Sequence, residues 1–174
     1  MKPLLKTVLI LAGLGIAGWM VASNLRNSLH GGDAGSRAWF YDESEKKLYL
    51  MPVTTIPPDK GIGGQSGDGE KAVVVTFGKD WQDRSHWRIA YLQKYTPDLK
   101  KALEDLIIAR AAHRIFDGSI PSRQSAYFQT NTLVKRPDDQ DWYTANSDEG
   151  KKIVTEWRSW HGPDGSGPVV CPAK

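Results

Sequence analysis

Cysteine is nearly missing from this chain: Cys171 is the single one among 174 residues. One thiol closes no internal disulfide and forms no Cys-x-x-Cys pair, so stability must come from an apolar core. Cys171 is expected either as a buried, inert thiol or as the partner in an intermolecular bridge. Histidine is equally sparse. His30, His86, His113 and His161 stand far apart without a His-x-x-x-His spacing, which predicts surface or helix-end histidines and no zinc site. There is no Gly-x-Ser-x-Gly elbow, and a C-terminal cysteine without a preorganised base is a poor nucleophile. Asp138, Asp139 and Asp141 lack the glycine and the distant glutamate of a calcium loop, so they read as a solvated turn. No run of Lys and Arg exceeds two residues and the net charge is only +3, which argues against a nucleic-acid partner. With no catalytic set, metal site or cofactor motif, the chain is expected not to be an enzyme.

Charge and proline are also missing from one stretch, and there the absence is informative. Residues 7–23, TVLILAGLGIAGWMVAS, carry neither. An all-round apolar helix is stable in lipid, where its backbone bonds satisfy themselves. Leu4 and Leu5 lengthen the run to about twenty residues, enough for ~30 Å of hydrocarbon. A cleaved signal peptide competes with this reading, since Val21, Ala22 and Ser23 offer small residues near a cleavage point. The added length favours a retained signal anchor. Lys2 and Lys6 precede the run, which places residues 1–6 in the cytoplasm and the remainder outside. The expected location is the bacterial inner membrane, with a periplasmic C-terminal domain. Gly13 with Ala17, and Gly18 with Ala22, each stand four apart and form a small-residue stripe on which another membrane helix can pack.

Residues 24–37 read as a polar, glycine-bearing linker, and 38–174 as one α+β domain. Two aromatic-rich runs, 38–42 and 47–51, predict a β-hairpin. The glycine-rich stretch 61–69 runs into a strand instead of opening a helix, and Asp68 and Glu70 would repel phosphate. It is therefore expected to be a mobile loop rather than a nucleotide cradle. Residues 72–77 read as a strand, and 85–95 as a short helix with Trp87, Ala90, Tyr91 and Tyr95 on one face. Thr96, Pro97 and Asp98 start a helix whose apolar positions are Leu99, Leu103, Leu106 and Ile107, ending near 116–118. Residues 121–129 are expected as loop, 131–136 as a strand and 142–143 as a short one. Asn146 and Glu149 have the form of a capping box before a last helix that ends at Gly162 and Pro163, followed by a coiled tail.

Tryptophan is abundant. Trp39, Trp81, Trp142 and Trp160 are candidates for a partner or ligand surface, with Trp87 and Trp157 in the same aromatic set, although core packing is the usual role of such residues. The order Trp-Phe-Tyr-Asp at 39–42, Ile56-Pro57-Pro58, a glycine-rich loop, a valine-rich strand, Tyr95-Thr96-Pro97, Leu133 to Arg136, Trp142, Ala145 to Ser147 and Cys171-Pro172 resembles a family of small, uncharacterised membrane-anchored proteins of planctomycete-type bacteria. That resemblance covers nearly the whole chain and implies placement rather than chemistry. The resemblance implies relatives that often carry more cysteines near the glycine loop and C-terminus; this chain lacks them, which argues against a metal or disulfide role. The expected fold is a small antiparallel sheet with two or three helices behind one transmembrane helix. The expected function is that of a non-enzymatic accessory or structural subunit in a membrane assembly, with lipid and other membrane subunits as partners. The alternatives are a periplasmic ligand- or glycan-binding module and a pilin-like filament subunit, the last disfavoured because the apolar segment holds no glutamate and follows no cleavage glycine.

Overall fold

Strand β4 (Ser66–Phe77) is the spine of the domain in a computed structural model that describes residues 36–78, 82–112, 122–123 and 125–173. The predicted membrane segment, with Gly13, Ala17, Gly18 and Ala22, lies outside the described residues, as do Trp81 and His113. Among the described residues no helix is long and apolar enough to cross a membrane. Ser36 and Pro52–Thr54 belong to a separate unit, within which the Val53 N–H donates to the Ser36 carbonyl at 3.0 Å.

The remaining described residues build an α+β unit around an antiparallel sheet. Strands β1 (Arg37–Asp42) and β2 (Lys47–Pro52) are neighbours, as the hairpin prediction requires. The path runs β2-β1-β4-β5-β6-β7, with β5 at Arg88–Tyr95, β6 at Thr132–Lys135 and β7 at Tyr143–Thr144. Two further strands use the length of β4. Gly69 pairs with Asp42 of β1 and with Asp59 of β3 (Asp59–Lys60), while Val75 pairs with Arg88 of β5 and with Val170 of β8 (Pro168–Val170). One edge of β4 is therefore filled by β1 then β8, the other by β3 then β5.

Register divides the side chains between two faces, because residues directly opposite one another share a face. Tyr41 lies opposite Glu70, Ala72 opposite Leu92, and Leu92 opposite Lys135. This face carries a core of Trp39, Ala72, Val74, Leu92 and Cys171. On the reverse, Phe40, Lys71, Gln93 and Val134 align, with Tyr95 opposite Thr132. Tyr95, Leu99 and Phe128 form a second core there, under helix α1 (Pro97–Ala111) and the short helix α2 (Ala126–Thr130). Helix α3 (Asp148–Glu156) packs on β5, β6 and β7.

Several sequence expectations are corrected. Residues 85–95 are not helical: a 3-10 turn at Arg84–His86 leads into β5. The helix-like spacing of Trp87, Ala90, Tyr91 and Tyr95 is overridden by ladders on both edges, and the buried positions Ala90 and Leu92 alternate as in a strand. The glycine stretch is not wholly loop, since Ser66 to Gly69 are paired in β4. A Cβ at Gly69 would collide with the Tyr49 hydroxyl, so the glycine serves close strand approach. Residues 121–129 are not all loop, because Ser125 caps α2 by accepting from the Phe128 N–H at 3.2 Å. Helix α3 is capped by Ser147, whose hydroxyl accepts from the Gly150 N–H at 3.0 Å, rather than by Asn146. Thr96 stands at the N-cap of α1, but its hydroxyl bonds Asn131 Oδ1 at 2.8 Å and does not cap the backbone. The tail is not coil throughout: β8 joins the sheet, and the Cys171 N–H donates to the Val74 carbonyl at 2.8 Å.

Candidate functional site

Beside the Trp39 core the sheet opens into a cleft of about 330 Å³ lined by Trp39, Tyr41, Lys46, Leu48, Arg84, Trp87, Arg88 and Ile89. Strand alternation puts Trp39 and Tyr41 on the same face of β1, and Leu48 of β2 and Ile89 of β5 pack against that core. The 3-10 turn Arg84–His86 supplies the far wall. Asp83 fixes this turn, its Oδ1 accepting from the Ser85 N–H at 3.0 Å and from the Ser85 hydroxyl at 2.6 Å, while His86 Nδ1 lies 3.1 Å from Oδ2. The hydrogen bonds from Ser85 hold the Asp83 carboxyl below its ordinary range. The Trp87 N–H then donates to the Arg84 carbonyl at 3.1 Å, which aims the indole into the cleft.

The two indoles meet edge to face, with centroids 5.0 Å apart at 69°, an arrangement favoured by the ring quadrupoles. The Arg84 guanidinium carbon lies 5.2 Å from the Trp87 ring centroid, so the cation is held against an aromatic face. Among the described residues, the lining holds three cations, Lys46, Arg84 and Arg88, and no carboxylate. Lys46 adopts φ +53°, a left-handed conformation that costs a non-glycine residue about 1 kcal/mol, yet a cation occupies it. The Trp39 indole N–H is buried and has no hydrogen-bond partner among the described residues. Burial first, then the carboxylates of Glu43, Asp138 and Asp42, push the Tyr41 phenol up, so it remains a neutral hydroxyl at physiological pH. An adjoining cavity of about 400 Å³ shares Arg88 and Ile89 and is bounded by Arg136, Asp138 and Trp160.

The sequence-predicted surface is thus divided. Trp39 is in the cleft, though nearly all of its area is buried. Trp160 is partly buried in the adjoining cavity. Trp142 packs against the same core without lining the cleft, beneath the ammonium groups of Lys94 and Lys135 at 3.9 and 5.0 Å from its centroid. Those lysines surround Glu70, which is 1% exposed. Glu70 Oε1 accepts from Lys94 at 3.3 Å, Oε2 has no hydrogen-bond partner among the described residues, and Lys135 pairs with Glu43. Burial, reinforced by Glu43 and opposed by Lys94 and Lys135, pushes the Glu70 carboxyl up to about 7. Cys171 is buried and packed against the Trp39 core, and burial pushes its thiol up, so this structure does not present it for intermolecular bridging.

Sequence reasoning placed Trp87 in the aromatic set but missed Tyr41, Lys46, Arg84 and Arg88. The run Arg84-Ser-His-Trp87-Arg88 held the signal, an aromatic flanked by two guanidiniums, and assigning it to a helix concealed which of them converge. Among the described residues no three His, Cys, Asp or Glu side chains cluster to hold a metal. No protein-family model, curated protein or solved structure matches this chain.

Proposed function

We propose that this chain is a membrane-tethered, non-catalytic binding module whose periplasmic domain takes an acidic glycan in the Trp39–Trp87 cleft. The observation that carries the reading is the Trp87 indole, backed edge to face by Trp39, with three cations converging on one cleft that has no carboxylate among its described lining residues. The half-buried Trp87 indole, backed by the buried Trp39, receives the apolar face of a sugar ring, while guanidinium groups match the planar fork of a uronate carboxylate or a sulfate ester. A volume of about 330 Å³ suits one or two rings, and the adjoining cavity beyond Arg88 extends the groove. The tether rests on the apolar segment at residues 7–23, and the resemblance to membrane-anchored planctomycete-type proteins supports the same placement.

Titration of the full-length chain in detergent with acidic and neutral oligosaccharides tests this reading, with tryptophan fluorescence as readout. The expected result is a saturable change with uronate-bearing sugars that Trp87→Ala abolishes and Arg84→Gln weakens about tenfold, the scale of one charge-assisted bond. Equal binding of neutral sugars would remove the role of the cations, and no response to any sugar would end the reading.

A second reading is the accessory subunit, favoured by Ile107 and Ile108 of α1, which are 42% and 56% exposed on a helix whose Leu99 is fully buried. Gentle detergent extraction followed by sizing and mass spectrometry tests it. Fixed partners in constant ratio, lost on Ile108→Glu, support a subunit, and a chain that runs alone contradicts it.

A further inference from the structure

On the face of the sheet opposite Glu70, a smaller cavity of about 230 Å³ lies between the strands and α2, lined by Lys71, Gln93, Tyr95, Arg123, Phe128 and Thr132 among others. Among the described residues its charged lining is two cations, Lys71 and Arg123, with no carboxylate. Lys71 of β4 follows Glu70 directly, so strand alternation turns it away from the Glu70 cluster and its two lysines. Among the described residues no carboxylate pairs with Lys71. Its charged neighbour is instead another cation, Arg123, and both desolvation and that guanidinium push the ammonium below its ordinary range. The Tyr95 hydroxyl accepts from Gln93 Nε2 at 3.3 Å, which leaves its own proton available, and burial keeps the phenol protonated. Thr132 is already engaged, donating to the Phe128 carbonyl at 2.9 Å.

Two like charges beside a desolvated wall repel each other unless an anion lies between them. We propose that this cavity is a binding site for a phosphate-sized oxyanion, held by Lys71 and Arg123 with the Tyr95 hydroxyl as a third donor. Two cations and a neutral donor match a dianion better than a monovalent carboxylate. The volume is below the usual range for whole-ligand pockets, so it fits inorganic phosphate or a single phosphate group rather than a sugar. The site is on the opposite face from the Trp39–Trp87 cleft, and the proposal stands independently of the glycan reading.

The experiment is thermal unfolding and calorimetric titration of the full-length chain in nonionic detergent, with inorganic phosphate added at fixed ionic strength against matched chloride and acetate. Expected is saturable one-to-one binding of phosphate, weakened at least tenfold by Lys71→Met and by Arg123→Gln, and unchanged by Trp87→Ala in the cleft. Arg123 is exposed, so its variant decides the question if Lys71→Met fails to fold. Absence of saturable binding above the chloride control, binding undiminished in Arg123→Gln, or equal binding of acetate would each overturn the assignment.

Discussion

Glu70 has its carboxylate inside the domain, where one oxygen accepts from Lys94 and the other has no hydrogen-bond partner among the described residues. Its pKa is raised from 4.5 to about 7, so between those values the folded state holds a proton that the unfolded chain has released. Stability from this residue is fully present below pH 4.5 and is lost as pH rises through 7. At 1.36 kcal/mol per unit the loss is at most about 3 kcal/mol. Glu70→Gln preserves the shape and the acceptor for Lys94 while removing the charge. It is expected to leave stability nearly unchanged at pH 4 and to raise it by about 1–2 kcal/mol at pH 8. Denaturant unfolding of both proteins across that range checks this, and a variant less stable at pH 8 would show that attraction to Lys94 and Lys135 outweighs desolvation. None of this was legible in the sequence, where Glu70 reads as the last charge of a loop. Its burial follows from Tyr41 and Lys94 flanking it on adjacent strands, and pairings between distant segments leave no local mark.

At the scale of elements, legibility followed locality. Helix α1 announced itself through Thr96, Pro97 and an acidic first turn, all within four residues, and the β1–β2 hairpin through two aromatic runs around a short polar turn. Strand β5 was hidden because its apolar spacing fits a helix as well as a strand, and only the ladders to β4 and β6 decide between them. Helix α3 shows the same limit at its start. Asn146 and Glu149 fit the capping pattern, yet Glu149 Oε1 accepts from Arg136 at 2.9 Å, alongside Glu156 on the same guanidinium at 2.5 and 2.9 Å. That network ties α3 to the end of β6. The helix is also held close to β7, where a Cβ at Gly150 would collide with the Thr144 carbonyl. Helix propensity alone gives alanine an advantage over glycine of about 1 kcal/mol. Overpacking against a backbone carbonyl costs about 1–3 kcal/mol, so the steric effect wins. Gly150→Ala should therefore lower the melting temperature by several degrees, as ~1–2 kcal/mol does in a domain of this size. A higher melting temperature would mean that α3 stands away from the Thr144 turn.

Within the α+β unit, β4 is the common partner of β1, β3, β5 and β8. Its two edges take four strands, and its two faces separate the aromatic cleft and Glu70 cluster from the Lys71 cavity. The last strand to join it is β8, from the far end of the sequence, and Cys171 reports on that junction. The thiol is 3% exposed, burial raises its pKa, and β8 pairs with Val75, Thr76 and Phe77. Reaction with a thiol reagent requires β8 to leave β4 and the Trp39 core to open. If β8 unzips only with the rest of the sheet, labelling of native protein proceeds no faster than global unfolding. The rate should then rise with denaturant along the slope of the whole transition, because the slope measures the surface exposed. A rate that is fast in water and indifferent to denaturant would identify β8 as a locally fraying strand. Val169 and Val170 are each more than half exposed on β8 and, as neighbours, point to opposite faces, so neither side of this strand contributes much burial. Its attachment rests on the ladder to β4, on the Cys171 N–H bond to Val74 and on the thiol buried in the same core cluster as Trp39, and slow labelling follows if these act together with the core.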